Sequence, residues 1–312
     1  MDLLSDVLKI VKLSGTLYFR TSFSSPWGVQ VPPFQNVSRF HYVHRGRCFA
    51  RVDNHPDTVL LDQGDLIIIN AGSGHCLSDP AEVEIKTLDQ VVESSGFNGR
   101  GALVIGEPNT GHETQLICGH FAFDPDARHI LLDALPPYIH IREYGNVSPD
   151  WLNDSLRMIG SEAGGGHLGS DLIGLKLAEI IFTQALRNYV TGPGSQHRGL
   201  AGFADNHIRE ALTAIHENPA HSWSVESLAR QAGMSRTAFS NRFNELVTRT
   251  PLTYLTEWRM QLARHLLSDT DLPIIEVAIQ VGYGSEASFS RTFKKYFDTP
   301  PAVFRRTRKS EA

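Results

Sequence analysis

A segment near the C-terminal end of this chain occurs twice, and that repetition constrains the fold more than any bulk property. Leu228-Ala229-Arg230-Gln231-Ala232-Gly233-Met234 is echoed by Val277-Ala278-Ile279-Gln280-Val281-Gly282-Tyr283. Each copy then runs through a serine into a Phe-x-x-x-Phe stretch, Ser235 to Phe243 in the first and Ser285 to Phe293 in the second. The period is 49 residues before the turn and 50 after it, because the second copy carries one extra turn residue, Gly284.

In each copy a short helix carries a small residue, Ala229 or Ala278, where a second helix must cross closely. Gly233 or Gly282 ends that helix, since a residue without Cβ tolerates the left-handed conformation common at helix ends. Ser235 or Ser285 comes next as an N-cap, accepting backbone N–H bonds that the second helix would otherwise leave orphaned. A tight helix, turn and capped helix is the geometry that reads DNA. Phe239 and Phe243, or Phe289 and Phe293, lie four apart on one face of the second helix and are expected in the core.

The opposite face offers Arg236, Thr237, Ser240, Asn241 and Arg242 in the first copy. In the second it offers Ser285, Glu286, Ser288, Ser290, Arg291, Lys294 and Lys295. Arg and Asn suit bidentate contacts to guanine and adenine edges, Ser and Thr serve either, and Lys mainly meets phosphate. A solvated face on a core helix would look the same in one copy. Two copies sharing Ala, Gln, Gly, Ser and both Phe positions favour two adjacent DNA readers. The polar faces differ between copies, so the second, with Arg291, Lys294 and Lys295, is expected to anchor, and the first to supply more of the sequence preference.

The second copy, Gly282-Tyr283-Gly284-Ser285 with Phe289-Ser290-Arg291-Thr292-Phe293-Lys294, together with the later Pro301 and Phe304-Arg305, resembles the signature of the AraC/XylS family of bacterial transcription regulators. The resemblance covers about 203–308, with Asp298 where a Gly is usual and Phe304 where a Tyr is usual. It implies that a long helix, here 251–268, joins the two units. Pro251 at its first position and Leu252, Leu255, Trp258, Leu262 and Leu266 at helical spacing predict a buried spacer. Such a spacer sets the readers about one DNA turn apart. Supporting and closing helices are expected over 204–217 and 302–308.

Charge obeys the same division. The 312 residues suffice for two domains. The whole chain carries −5, but residues 201–312 hold 14 basic and 12 acidic side chains, and the remainder is net −7. Positive charge thus sits where phosphate contacts would be made. No export or membrane-spanning segment is legible, and three cysteines without a spaced framework point to a reducing cytoplasm, beside the nucleoid.

The first half reads as short strands over 17–23, 39–43, 48–52, 66–70, 103–105 and 115–123, separated by Gly, Pro and Asp turns. Even spacing suggests a barrel or jelly roll. Gly64 through His75, with Phe40 to Gly46 ahead of it, is similar to the motifs of cupin barrels, with Asn70 in place of the usual Pro. That likeness implies the cupin-type sensor of a subset of AraC-like regulators. Two helical stretches come after the strands, 149–163 and 170–190, the second with Leu172, Leu175, Ala178, Ile181, Phe182, Ala185 and Tyr189 along one stripe. In relatives of this kind a comparable pair makes a dimer. The stretch 191–196 is a linker by composition.

The expected fold is therefore an α+β two-domain chain. A cupin-like β-barrel with trailing dimerisation helices spans 1–190, a linker spans 191–202, and an all-α double helix-turn-helix spans 203–308. The candidate sensing residues are His41, Cys48, His75, Cys76 and Cys118. His120 lies among them, and all are on expected barrel strands. As ordinary core residues they need no role. As sensors they admit a metal, a redox thiol pair such as Cys48 with Cys76, or an organic effector at a mouth near Trp27, Phe34 and Tyr42. The His-x-His of metal-binding cupins is absent, since His41 and His44 point to opposite faces of a strand. No metal or cofactor is expected. The function expected is a homodimeric transcription regulator, not an enzyme, whose binding to a double-stranded DNA operator responds to a small effector or oxidant and whose output passes to RNA polymerase. A metal-dependent cupin enzyme tethered to a DNA-binding domain is the alternative.

Overall fold

The computed structural model describes residues 2–98, 102–107, 112–142 and 168–311. Helix α1 (Leu3–Ile10) leads into strands β1 (Ser14–Ser24), β2 (Trp27–Val31), β3 (Val37–Arg45) and β4 (Arg47–Val52). Next are strands β5 (Thr58–Asp62), β6 (Leu66–Ile69), β7 (His75–Asp79) and β8 (Lys86–Thr87), then helix α2 (Leu88–Ser95), β9 (Ala102–Ile105) and β10 (Glu113–Ala122). After them come α3 (Ile130–Asp133), β11 (Tyr138–Ile141), α4 (Ser170–Thr191), α5 (Ala201–Ala204) and α6 (Asn206–Glu217). The chain ends in α7 (Val225–Gln231), α8 (Arg236–Val247), α9 (Pro251–Asp269), α10 (Ile274–Gln280), α11 (Glu286–Phe297) and α12 (Pro301–Glu311).

These elements form two compact units. Residues 13–123 and 135–186 make the β unit, and residues 1–12, 124–134 and 187–312 the helical one. Two segments expected with the barrel, 1–12 and 124–134, thus belong to the helical unit. The reason is burial: Val7, Val11, Ile130 and Leu131 are apolar and almost wholly enclosed.

The β unit is a two-sheet sandwich with strand orders β11-β6-β3-β10-β1-β9 and β5-β4-β7-β2-β8. Strand alternation decides which side chains face inward. On β3 and β10, paired antiparallel, His41 lies opposite Cys118, Val43 opposite Leu116 and Arg39 opposite His120. Val43, Leu116 and Cys118 join Val29, Ile67 and Leu77 in the inner core. The alternate residues Phe40 and Phe121 stack on the outer face at 4.8 Å, and Phe182 of α4 packs on Phe121 at 4.6 Å. Gly15 permits that approach, because a Cβ there would sit 2.7 Å from Ala178 Cβ.

The stripe expected on α4 divides accordingly. Ala178, Ile181, Phe182 and Ala185 are buried, whereas Leu172 is 64% exposed and Leu175 and Tyr189 are half-buried. The helix expected over 149–163 lies outside the described residues. The stretch 191–202 differs from an open linker: Pro193–Gln196 forms a 3-10 turn, Gly199 N–H bonds to Leu246 O at 2.9 Å, and Leu200 and Ala201 are buried.

In the helical unit both copies of the repeat close in the same way. Gly233 and Gly282 have φ of +63° and +86°. The next residue bonds back to the alanine, Met234 N to Ala229 O at 2.9 Å and Tyr283 N to Ala278 O at 2.8 Å, which satisfies carbonyls the helix end leaves orphaned. Ser235 and Ser285 cap α8 and α11 through Ala238 N and Ser288 N. Helix α9 starts at Pro251 and is capped by Thr250. Its buried stripe is not the expected one. Leu252 is 42% exposed and Leu262 and Leu266 are only partly buried, while Tyr254, Met260, Ala263, Arg264 and Leu267 are enclosed with Leu255 and Trp258. The helix is packed on more than one side, so a single apolar period does not describe it.

Candidate nucleic-acid interface and sensor cavity

Phe239 and Phe243 are fully buried with ring centroids 5.5 Å apart, and Phe289 and Phe293 repeat this at 5.6 Å. The phenylalanines lock each reading helix in the core and turn its other face outward. On α8, Arg236, Thr237, Asn241 and Arg242 are exposed and Ser240 is half-buried. On α11 and its cap, Ser285, Glu286, Arg291, Lys294 and Lys295 are exposed, and Ser288 and Ser290 are half-buried. Lys294 and Lys295 lie in the last turn of α11, where cations complement the helix C-terminus.

The arginines on α8 are already engaged. Arg236 Nε pairs with Glu226 Oε1 at 2.9 Å. Arg242 donates to Asp205 Oδ2 from Nε at 3.0 Å and from Nη2 at 2.5 Å. The other oxygen of Asp205 caps α6 through His207 N and Ile208 N. Burial opposes ionisation of that carboxyl, but Arg242 and the two amides outweigh it and hold it below the usual carboxylate range. Arg242 therefore ties α8 to α6, whereas among the described residues no ion pair is recorded for Arg291, Lys294 or Lys295.

Inside the β unit a cavity of about 270 Å³ is lined by apolar side chains, among them Phe23, Val29, Leu77 and Leu116, and by Arg39, His41 and Cys118. His41 Nδ1 lies 3.1 Å from Cys118 Sγ, and His41 Nε2 lies 2.8 Å from His75 Nε2. Burial, then His75 and Arg39, hold His41 well below the usual imidazole range; burial and Arg39 take His75 down to about 3. Burial pushes the Cys118 thiol up to about 12 against the pull of Arg39. Burial thus favours the neutral form of both imidazoles and of the thiol.

The sensing candidates do not form one cluster. Cys48 is fully buried in the inner core, and burial, with Cys118 next in weight, pushes its thiol far up. Cys76 points to the other side of its sheet: β4 and β7 pair Ala50 with Leu77 and Arg51 with Cys76, so the inward parity of Cys48 and Ala50 excludes Cys76. Its Sγ donates to Gln30 Oε1 at 2.6 Å. The pairing of Cys48 with Cys76 is thereby overturned, and all three cysteines are free. His41, His75 and Cys118 stand in a line. His41 gives its two nitrogens to different neighbours, so the three donors share no common centre, and no group of three ligands suited to a metal occurs among the described residues. Arg39, absent from the sequence-based candidates, was recoverable from its i, i+2 spacing to His41.

The family model described as Cupin matches residues 2–191, and the one described as Helix-turn-helix domain matches residues 228–307. An AraC-like transcription regulator of Streptomyces antibioticus is 31% identical over 307 residues, covering 98% of this chain and 99% of that protein. The chain belongs to the AraC-like transcription regulators. The HTH-type transcriptional regulator AlkR of Acinetobacter baylyi is 29% identical over 307 residues, covering 98% of this chain and 99% of that one. Among solved structures, the DNA-binding domain of AdpA in complex with a target DNA is 29% identical, covering 34% of this chain and 96% of that one with a TM-score of 0.33. Its two family models and its Streptomyces relative make this AraC-like regulator a DNA-binding protein with an N-terminal cupin domain and a C-terminal helix-turn-helix domain. Among its described residues no helix is long and apolar enough to cross a membrane.

Proposed function

We propose that this AraC-like regulator holds its operator through α8 and α11 and that a small molecule in the barrel cavity sets how tightly it does so. The cavity carries the reading: about 270 Å³ of mostly apolar space with Arg39, His41 and Cys118 at its wall. An apolar pocket with few convergent polar groups is the usual form of a small-ligand site. Cys118 and Cys48, both pushed up by burial, are poor thiolates, which favours a bound effector over an oxidant diffusing in from solvent.

On the DNA side, Arg291 reads a base edge, Lys294 and Lys295 meet phosphate, and Thr237, Ser240 and Asn241 tune preference. Ser285, Glu286 and Ser290 border the anchoring face, and Arg236 and Arg242 support the first reader from their ion pairs. The regulator acts as a homodimer through the exposed side of α4, where Leu172, Ile173 and Ile180 are 64%, 38% and 41% exposed. In the cytoplasm such a dimer would pass its state to RNA polymerase. Catalysis forms no part of the reading, because the line of His41, His75 and Cys118 suits neither a metal shell nor a hydrolytic triad.

The test is to select operators from random duplexes with the full-length protein, then fill the cavity with Leu77→Trp. Operator affinity that changes on filling, in a variant that still folds, supports the reading. Affinity indifferent to both filling and extracts of small molecules would sink it.

A further inference from the structure

We propose that the barrel cavity takes an apolar α,β-unsaturated carbonyl compound and that Cys118 captures it as a covalent thioether, with His41 as the base. This rests on the reading of the cavity as the sensor and names the chemistry of what it senses.

Three observations converge. Of the three cysteines, Cys118 alone lines the cavity; Cys48 is fully enclosed behind it and Cys76 faces the other side of its sheet. The cavity-lining thiol has a nitrogen base at hydrogen-bond range, His41 Nδ1 at 3.1 Å from Sγ, and the far side of that ring is held by His75 Nε2 at 2.8 Å. Arg39 shares the inward face of β3 with His41, two residues away, and lines the same cavity. The site thus has apolar walls for a hydrocarbon body, a cation for a carbonyl oxygen and a nucleophile with its base.

The step balances without any co-reactant. In the tautomer the step uses, His41 donates Nε2–H to His75, and its bare Nδ1 takes the Cys118 thiol proton as the sulfur pair attacks the alkene carbon β to the carbonyl. A C–S bond forms, the alkene pair becomes the double bond between the α carbon and the carbonyl carbon, and the carbonyl π pair moves to the oxygen of an enolate facing the Arg39 guanidinium. His41 returns the proton to the α carbon. Nothing leaves, and no oxidant is consumed.

The same environment selects against simple oxidants. Peroxides react with thiolates, and burial keeps Cys118 protonated, with its thiol pushed up to about 12. A ligand held against the sulfur reacts as His41 takes the thiol proton, and its fixed orientation favours that step.

The experiment exposes the full-length protein to cyclohexenone, tracks intact mass and maps the adduct by peptide analysis, while operator affinity is measured on the same samples. One adduct on Cys118 is expected in the folded protein, slowed by excess saturated cyclohexanone competing for the cavity. His41→Gln should slow labelling by roughly a hundredfold, and Cys118→Ser should abolish it with the helical content intact. Cys48→Ser should label like the parent. Labelling first at Cys48 or Cys76, a rate indifferent to His41→Gln, or no adduct at concentrations that label the unfolded chain would overturn the proposal. An adduct on Cys118 that leaves operator affinity unchanged would uphold the chemistry and refute the cavity as the sensor.

Discussion

Arg264 Nη1 and Asp124 Oδ2 form a buried ion pair at 2.6 Å, with the arginine fully enclosed and the aspartate side chain 8% exposed. Arg264 also donates to Ile10 O at 2.6 Å, and Asp124 receives Arg308 at 2.6 Å. One residue of the long spacer helix thus grips two segments remote in sequence, the end of α1 and the stretch just after β10.

Removing one partner leaves the other charged and buried. Arg264→Met should cost about 3 kcal/mol in urea unfolding of the helical unit. The double change with Asp124→Leu should recover most of that, since a well-packed apolar pair can equal a buried ion pair. A double mutant no better than the single would refute the pairing as the cause.

Burial opposes ionisation of Asp124, but Arg264, the Asp126 amide and Arg308 outweigh it, so its carboxyl is lowered. A lowered folded value means the unfolded chain binds the proton more readily. The contribution is complete above the unfolded value of about 4 and is lost as pH falls below it. Asp124→Asn should flatten stability in that acid window and leave the neutral range unchanged in slope.

A second window comes from His129 and His216. Leu131 N–H donates to His129 Nδ1 at 3.1 Å, so the ring proton is on Nε2, 3.3 Å from Tyr254 Oη. The tyrosine hydroxyl then donates to His216 Nε2 at 2.7 Å. Burial, aided by His216, takes His129 down to about 3, and burial lowers His216 against the pull of Asp6. The unfolded chain binds more protons below about pH 6.5. Stability should therefore fall as pH drops through that value, by roughly 1.4 kcal/mol per pH unit for each histidine until its folded pKa is reached. His129→Gln should remove the part of the slope that His129 contributes, roughly 1.4 kcal/mol per pH unit, in urea titrations run from neutral pH downward.

On DNA, Arg291→Ala should cost about 1 to 3 kcal/mol on the selected operator and relax preference at one base pair. Arg242→Ala should weaken binding less, because Asp205 already occupies that guanidinium. Gel shifts at fixed salt decide. Equal losses for the two variants, uniform over all sequences, would assign both to phosphate.

For the dimer, Ile173→Glu with Ile180→Glu should give monomers in analytical ultracentrifugation without loss of strand content, since both side chains are exposed. A pair of variants that sediments as the parent does would exclude α4 as the interface.

The helix-turn-helix repeat was legible because its signals are local. Gly233 and Gly282 announce a left-handed helix end, Ser235 and Ser285 a cap, and phenylalanines four apart a core face. Strands over 39–43, 48–52 and 66–70 were legible for the same reason, from alternation and turn residues. Strand β2, with its Trp27-Gly28-Val29, was missed, as was α2, and β7 was marked only through His75 and Cys76, with no range of its own. β7 is buried throughout and so shows no period.

The sequence by itself thus determined the repeat, its caps, its core phenylalanines and the division of charge, all set by backbone preference and spacing within a few residues. Tertiary structure alone decided that 1–12 and 124–134 join the helices, that Arg242 serves Asp205, and that Cys118 rather than Cys76 meets His41. Each of those depends on which elements meet and, in the β unit, on which strands pair, in which register and with which face inward, where a one-residue shift reverses every inward side chain.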